Sequence, residues 1–216
     1  MTIAHIPQYI KMYWNNYYRK FIIMPSYIRK LQNTNFSIIS SNCNGGVACH
    51  DLKVRFNSPT VNLSMSAGDF LKFVKHLEYY VNTDIVERKD DTVTYPVGLL
   101  GNEILLHFMH YNSFEEAVKK WNERKKRINY QNLFLMMTDR DGCTEAMIKE
   151  FDRLPYKNKI LFSASDYPEL KSVVYCSEFS DKECVPILTE WRNMRGERLY
   201  DRYFDVVEWL NGGKND

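Results

Sequence analysis

The stretch LFLMM at residues 133–137 runs directly into TDRDG at residues 138–142. Five consecutive apolar residues indicate a strand that is covered on both faces, which is typical of a central strand in a parallel sheet. The polar and acidic residues after it indicate a tight turn, and a helix is predicted to follow over residues 144–153. An apolar strand, a turn and a helix in succession form the repeating unit of an α/β protein.

The same order of elements recurs on both sides of this stretch. Strands are predicted at residues 36–41, 60–65, 103–109, 159–163 and 173–176, a hairpin at 84–95, and helices at 66–81, 113–127 and 201–210. Neighbouring parallel strands need helical crossovers between them, so we expect the strands at 36–41, 60–65, 133–137 and 159–163 to share one sheet. The sequence therefore predicts an α/β, Rossmann-like fold with a mainly parallel sheet flanked by helices.

Length and composition narrow the class of protein. The 216 residues are 44% hydrophobic and 26% charged, which are the proportions of a globular chain rather than of a disordered or collagen-like one. No apolar run approaches the roughly 18 residues that span a bilayer. The cysteines are five, an odd number, and form no C-x-x-C pair. Neither a disulfide framework nor a zinc ribbon is predicted, and a cytoplasmic location is expected.

The first 35 residues are predicted to form a basic helical segment ahead of a single α/β domain at residues 36–216. Residues 1–50 contain five lysines and arginines and no acidic residue, although the whole chain carries only +2. Three roles are consistent with this charge: rings such as Trp14, Tyr17 and Phe21 dock on the core, the helix lies in a membrane surface, or the cations contact nucleic acid. We expect docking on the core, with peripheral membrane contact as the alternative and no nucleic-acid partner. The interleaved aromatic residues are Tyr9, Tyr13, Trp14, Tyr17, Tyr18, Phe21 and Tyr27.

Asp139 and Asp141 flank Arg140 at the end of the most apolar strand. A D-x-D pair in this position is the arrangement by which many nucleotide-sugar transferases bind Mg²⁺ or Mn²⁺, because carboxylate oxygens suit these cations and the metal neutralises a diphosphate leaving group. The same residues also suit a turn, in which Asp141 or Thr144 caps the next helix. Asp139 and Asp141 are therefore candidate catalytic residues and metal ligands, with turn formation as the alternative.

A second polar loop, SSNCNGG at residues 40–46, follows the first predicted strand. Two adjacent glycines let the backbone approach a phosphate group closely, or they serve a tight turn that needs positive φ. The loop matches neither G-x-G-x-x-G nor the P-loop lysine pattern, so it indicates no dinucleotide or kinase site. The candidate donor-binding residues are Ser41, Asn42, Asn44, Gly45 and Gly46.

His110 is the third catalytic candidate. His107 and His110 are three residues apart in a predicted strand, which would place them on opposite faces and argues against a shared metal ion. His110 stands at the end of that strand, beside a polar turn. Ligands of open α/β sheets bind along the carboxyl ends of the strands, where loop amides and helix N-termini converge. We therefore expect the site to lie along this edge.

Four stretches resemble a bacterial family of unknown function that is associated with exopolysaccharide and capsule biosynthesis, domain of unknown function family 1919. They lie between residues 36 and 175 and read FSIISSNCNGG, SPTVNLSMSAGDFLKF, YPVGLLGNEILLHFMHYNSFEEAVKKWNERKKRIN and NLFLMMTDRDGCTEAMIKEFDRLPYKNKILFS. In the family an aromatic residue is expected after the cysteine of the first loop, and this chain has Asn44 there. The resemblance implies a role in cytoplasmic glycan assembly and no established reaction.

Residues and resemblance together predict a glycosyltransferase-like enzyme of capsular or exopolysaccharide biosynthesis at the cytoplasmic membrane face. Its partners would be a nucleotide-activated sugar or related donor and a glycan or lipid-linked acceptor, with Mg²⁺ or Mn²⁺ as cofactor. One alternative is the transfer of a phosphoryl, acyl or pyruvyl group to a glycan. The other is a non-catalytic partner of the polysaccharide assembly machinery, which predicts an exposed apolar patch and no deep pocket at the strand ends.

Overall fold

The computed structural model describes residues 8–212, and over this range helices alternate with strands. The N-terminal part consists of α1 (Gln8–Tyr18), one wider π-helical turn (Arg19–Ile23) and α2 (Met24–Lys30) in direct succession. None of the helices in the described range is long and apolar enough to cross a membrane. The later helices and strands are β1 (Ser37–Ser40), α3 (Asn44–Asp51), α4 (Ala67–Lys75), α5 (Leu77–Asn82), β2 (Ile85–Arg88), β3 (Val97–Leu100), β4 (Ile104–His107), α6 (Phe114–Lys125), β5 (Leu133–Thr138), α7 (Glu145–Asp152), β6 (Asn158–Ser163), β7 (Val173–Tyr175) and α8 (Val206–Leu210), with short 3₁₀ turns at Ser177–Phe179 and Leu199–Arg202.

The main sheet is parallel, with its strands in the order β1, β5, β6, β7. β5 pairs with β1 on one side and with β6 on the other, and each of its residues after Leu133 is buried. This confirms that the LFLMM stretch forms a central strand covered on both faces. The predicted α/β fold, with a parallel sheet flanked by helices in a Rossmann-like arrangement, is confirmed.

Different helices cover the two faces of the main sheet. Leu135 and Met137 of β5 pack with side chains of α4, α6 and α7 on one face. Phe134 and Met136 pack with side chains of α3 and α8 on the other face, because side chains alternate along a strand. The helix that follows β1 therefore lies on the opposite face from the helix that follows β5. This divergence leaves a gap between the carboxyl ends of these two adjacent strands.

A second, antiparallel sheet is formed by β2, β3 and β4. The predicted hairpin is present, but its second strand begins at Val97 and not at Thr92. The Asp90 carboxylate accepts hydrogen bonds from both the amide and the hydroxyl of Thr92, so Thr92 belongs to the turn. The turn is thus longer than the sequence suggested, and the pairing starts after Pro96.

The strand predicted at residues 60–65 is wrong, because this segment is not part of the parallel sheet. Asn62 has a φ of 66°, in the left-handed region, and the Val61 carbonyl accepts hydrogen bonds from Tyr111 and Arg124 instead of from a neighbouring strand. The end of this segment instead connects the two sheets. The Ser64 backbone pairs with His107 of β4. The amide of the next residue, Met65, donates to the carbonyl oxygen of Ser41, directly after β1, at 3.0 Å.

Two predicted helices are interrupted. The helix expected over residues 66–81 is divided at His76 into α4 and α5. The helix expected over residues 201–210 consists of a 3₁₀ turn followed by α8, because the Asp205 carboxylate accepts from the amides of Val207 and Glu208 and so caps a new helix. The helix starts predicted near Ser113 and Thr144 are confirmed, since each side chain accepts a hydrogen bond from an amide in the first turn.

The N-terminal helix packs on the domain with polar side chains. Asn15 and Arg19 are buried, whereas the side chains of Trp14, Tyr17 and Phe21 are about half exposed. The Trp14 indole contacts the domain through a hydrogen bond to the Met194 carbonyl at 2.9 Å, but the expectation that the rings dock on the core is wrong for Tyr17 and Phe21. The buried side of the helix is instead held by polar contacts: Asp51 and Asp201 bind the Arg19 guanidinium, and the Gly196 amide donates to the Asn15 side chain.

Candidate functional site

A cleft of about 570 Å³ opens at the carboxyl ends of β1 and β5. It lies in the gap left by the divergence of α3 and α7, which is where ligands bind in open α/β sheets. This is the edge at which the sequence predicted a site. Its walls consist of residues 42–44, 64–66, 107, 109 and 110, Tyr95, residues 138, 140 and 141, and residues 186–189.

The first wall is the junction between β1 and α3. Asn42, Cys43 and Asn44 line the cleft, whereas Ser41, Gly45 and Gly46 do not. The Asn42 side chain donates a hydrogen bond to Thr138 Oγ1 at 3.1 Å and accepts one from the Asn44 amide at 3.1 Å. Asn42 thus joins the ends of β1 and β5 and holds the first residue of α3 in place.

The two glycines of this loop lie in the first turn of α3, a helix that the sequence reasoning missed. Of the two alternatives for the glycines, the tight turn with positive φ is wrong, because neither has a φ in the left-handed region. A Cβ atom at Gly45 would lie 2.8 Å from Ile38 Cγ2 and 2.9 Å from Ser40 Cβ. Gly45 therefore allows α3 to pack closely on β1, which is one of the known roles of glycine at strand-to-helix junctions.

We expect Gly45→Ala to lower the free energy of unfolding by about 1–3 kcal/mol, because the new methyl group overpacks the contact with β1. Gly46→Ala is the matched control. Its Cβ would lie 3.3 Å from Val61 Cγ1, a less crowded contact than either at Gly45, and alanine favours a helix over glycine by up to about 1 kcal/mol. Urea denaturation of both variants measures the difference; equal stabilities would contradict the close-packing role of Gly45.

The second wall is the turn after β5, in which the two aspartates have different environments. Asp139 is buried and outside the cleft lining: its Oδ2 accepts from the Ala164 amide at 2.7 Å and its Oδ1 from the Val185 amide at 2.8 Å. Burial raises the pKa of Asp139 above its usual value. Asp141 lines the cleft, is exposed and has a φ of 58°. The catalytic role of both residues stays a prediction.

The predicted metal site fits these positions poorly. Both oxygens of Asp139 are already engaged by backbone amides, and Asp141 is left as the open carboxylate of the pair. Within residues 8–212, no group of three or more His, Cys, Asp and Glu side chains is arranged to hold a metal ion. Binding of Mg²⁺ or Mn²⁺ by Asp139 and Asp141 stays a prediction that the side-chain geometry does not favour.

The third wall carries two histidines. β4 ends at His107 and the chain turns there, so that His107 and the exposed His110 both line the cleft. The expectation that they lie on opposite faces of one strand is wrong for this reason. His107 is partly buried, its ring lies 5.9 Å from that of Tyr95, and its Nδ1 has no hydrogen-bond partner in the described chain. Sequence reasoning set His107 aside, although it is the residue at the strand end.

Arg140 gives the cleft a guanidinium group that sequence reasoning passed over between the two aspartates. One of its nitrogens donates to the Val185 carbonyl at 3.3 Å, and its other donors remain for a ligand. α3 begins at Asn44 and α4 follows its cap residue Ser66, and both residues line the cleft. The amides of Asn44, Ala67 and Asp69 at these helix starts already bind the Asn42 side chain, the Asp141 carbonyl and the Ser66 hydroxyl. Arg140 is therefore the cleft residue with donors left for an anionic ligand.

The fourth wall comes from the segment that was least readable in the sequence. Pro186, Ile187 and Leu188 give it an apolar surface. It is held at both ends: the Val185 amide donates to Asp139, and the Thr189 carbonyl accepts from Arg198 Nη1 at 2.6 Å. The cleft thus has a polar side, which carries Arg140 and Asp141, and an apolar side. Such a division suits a ligand with an anionic group attached to a ring.

The fold and cleft define an α/β protein with an open parallel sheet and a ligand-sized cleft at the carboxyl ends of its strands. The chain belongs to the family described as Domain of unknown function (DUF1919), whose model matches residues 14–211. It is also similar to an uncharacterized protein of Haemophilus influenzae, with 42% identity over 193 residues, which covers 89% of this chain and 92% of that protein. Neither the family description nor the name of the relative states an activity, so the association with polysaccharide biosynthesis stays a prediction.

Proposed function

We propose that this protein is a transferase of capsular or exopolysaccharide biosynthesis that moves a glycosyl group from a nucleotide-activated sugar to a glycan or lipid-linked acceptor. The observation that carries the proposal is the cleft at the ends of β1 and β5, into which Arg140 brings guanidinium donors that the protein does not use. This arrangement suits a diphosphate. A purely non-catalytic partner needs no pocket there, so the cleft favours an enzyme.

The two sides of the cleft bind different parts of the donor. The diphosphate lies against Arg140, and the nucleoside base lies against the apolar surface of Pro186 and Ile187. The volume of about 570 Å³ falls inside the usual range of roughly 300–1,000 Å³ for small-molecule pockets. Polar side chains at the cleft floor, among them Thr138, bind sugar hydroxyls.

In the reaction, the acceptor oxygen forms a bond to the anomeric carbon as the bond from that carbon to the diphosphate breaks. The nucleoside diphosphate leaves with the bonding electrons, and the guanidinium of Arg140 stabilises its added charge. His110, which is exposed and lines the cleft, takes the proton of the acceptor hydroxyl. Because Asp139 is engaged by backbone amides, no step of this proposal depends on a protein-held cation.

The test is the binding of nucleotide sugars to the wild type and to Arg140→Gln, measured by thermal shift and calorimetry. A true donor raises the melting temperature in proportion to occupancy. Loss of the charged hydrogen bonds should weaken its binding about 10- to 100-fold, with little change in stability because Arg140 is only partly buried. Arg153→Gln, at an exposed arginine outside the cleft, is the matched control. The proposal fails if no nucleotide sugar binds, or if both variants bind it as tightly as the wild type.

A further inference from the structure

The N-terminal helix has an aromatic stripe on its exposed side. Tyr9, Tyr13, Tyr17 and Phe21 recur every four residues, and their exposed fractions are 60%, 68%, 57% and 53%. Residues spaced in this way lie one above another on a helix. The rings of Tyr17 and Phe21 are in contact, with centroids 4.7 Å apart. We call these four residues the aromatic stripe; Ile10, Met12, Trp14 and Ile22 widen its apolar surface and are also exposed.

Buried polar contacts fix the helix in this orientation. Asn15 lies halfway along α1 between Tyr13 and Tyr17, so it faces away from the aromatic stripe, and its Oδ1 accepts from the Gly196 amide at 3.0 Å. Arg19 is on the same buried side and donates to Asp51 at 2.5 Å and to Asp201 at 2.6 Å. Turning the stripe toward the domain would break these contacts. The exposure of the rings is therefore a stable feature of the fold.

Cations accompany the aromatic stripe without acidic neighbours in sequence. Lys11, Lys20, Arg29 and Lys30 are exposed, and residues 1–50 contain no aspartate or glutamate. In the described part of the chain none of these four cations forms an ion pair, whereas the charge of Arg19 is neutralised by its carboxylate partners. The Lys20 ammonium lies 5.4 Å from the centroid of the Phe21 ring, beside the stripe. Their charges are thus free for an anionic surface.

We propose that the aromatic stripe lies in the interface of a bilayer that contains anionic lipid. Tyrosine and tryptophan rings with flanking lysines are the usual composition of a helix at this depth, where the rings reach the acyl boundary and the ammonium groups contact lipid phosphates. A second copy of the chain is a poorer occupant, because a symmetric interface would bring the same cations of two helices together. This inference is independent of the chemistry in the cleft.

The experiment is flotation of the full-length protein with vesicles of phosphatidylglycerol and phosphatidylcholine in equal parts, compared with vesicles of phosphatidylcholine alone. The wild type should float with the first and far less with the second, and added salt should release it because the attraction is screened. Tyr13→Ser/Tyr17→Ser/Phe21→Ser should abolish flotation. The matched control is Tyr79→Ser/Val86→Ser/Tyr130→Ser, which changes three exposed apolar residues elsewhere and should float like the wild type.

A second variant tests the charges without changing the rings. Lys11→Gln/Lys20→Gln should weaken binding to the anionic vesicles about fivefold for each charge removed. Circular dichroism must show that each variant is folded. The proposal is overturned if the folded wild type does not float with anionic vesicles, or if the stripe variant floats as well as the wild type. It is also overturned if the wild type is a dimer in solution that the stripe variant converts to a monomer without vesicle binding, since the face then belongs to a second copy.

Discussion

We expect Arg19→Ala to lower the free energy of unfolding by about 3–5 kcal/mol, which is the usual cost of removing one partner from a buried ion network. The Arg19 side chain is 2% exposed and contacts the carboxylates of Asp51 and Asp201. Burial raises the pKa of Asp51, but hydrogen bonds from Arg198 and Arg19 outweigh it and hold the pKa below its usual value. Without Arg19, the two carboxylates stay buried with one cation fewer. Urea denaturation measures the loss.

Lys20→Ala is the matched control for Arg19→Ala. Lys20 is the next residue on the same helix and is exposed, so its removal should change the free energy of unfolding by no more than about 0.5 kcal/mol. A double-mutant cycle between Arg19→Ala and Asp201→Asn should show coupling, because the two side chains are in direct contact. Equal effects of the two single alanine variants would mean that the ion network contributes nothing to stability.

The same network connects the N-terminal helix to the cleft. Asp51 accepts from Arg19 and from Arg198, and Arg198 also donates to the carbonyl of Thr189 in the fourth wall. Asp51 is the last residue of α3, whose first residue, Asn44, lines the cleft. The buried charges therefore hold three parts of the molecule together: the helix with the aromatic stripe, the far end of α3, and the apolar wall of the cleft.

The central part of the fold was predictable because its signal is local. The LFLMM run contains within itself the apolar pattern of a doubly covered strand, and the structure places it between β1 and β6. The segment at 60–65 has a comparable local pattern, but its Val61 carbonyl binds the side chains of Tyr111 and Arg124, which are distant in sequence. The pattern of apolar and polar residues within a six-residue segment cannot reveal hydrogen-bond partners that lie elsewhere in the sequence. The partners of Arg19 are equally distant, which is why the exposed side of the N-terminal helix could not be predicted.

The edge of the sheet that holds the cleft was also predictable, but the direction of each side chain was not. Asn42, Asn44, His110 and Asp141 line the cleft, as the strand-end rule suggests. Asp139 is two residues from Asp141 but points into the protein. It binds the amide of Ala164, directly after β6, and the amide of Val185, directly before the fourth wall. The tripeptide D-R-D alone does not indicate which of its three side chains will be buried by segments that follow it in the sequence.

The position of other candidates outside the cleft has related reasons. Ser41 is buried, and its carbonyl is used by the Met65 amide, so it connects the two sheets. Gly45 is required by the closeness of α3 to β1, a contact that depends on where the whole helix packs. Residues 186–189 have no periodic pattern of their own, yet they form the apolar wall because Asp139 and Arg198 hold them there. Contacts between distant segments decide each of these positions.

We expect Asp139→Ala to lower the free energy of unfolding by roughly 2–6 kcal/mol, because two buried amides, those of Ala164 and Val185, lose their acceptor at about 1–3 kcal/mol each. Ala164 directly follows β6 and Val185 directly precedes the fourth wall, so the cleft should also lose its apolar side. Urea denaturation measures the first effect, and the binding of the nucleotide sugars named above measures the second.

Asp141→Asn is the control that separates a structural role from a metal-binding one. Asparagine tolerates the left-handed conformation of Asp141 and the side chain is exposed, so the free energy of unfolding should change by no more than about 0.5 kcal/mol. If the two aspartates acted together as metal ligands, both variants would be stable and both would lose Mn²⁺-dependent donor binding. If Asp139 organises the wall, Asp139→Ala alone is destabilised, because only Asp139 has buried amides that depend on its oxygens.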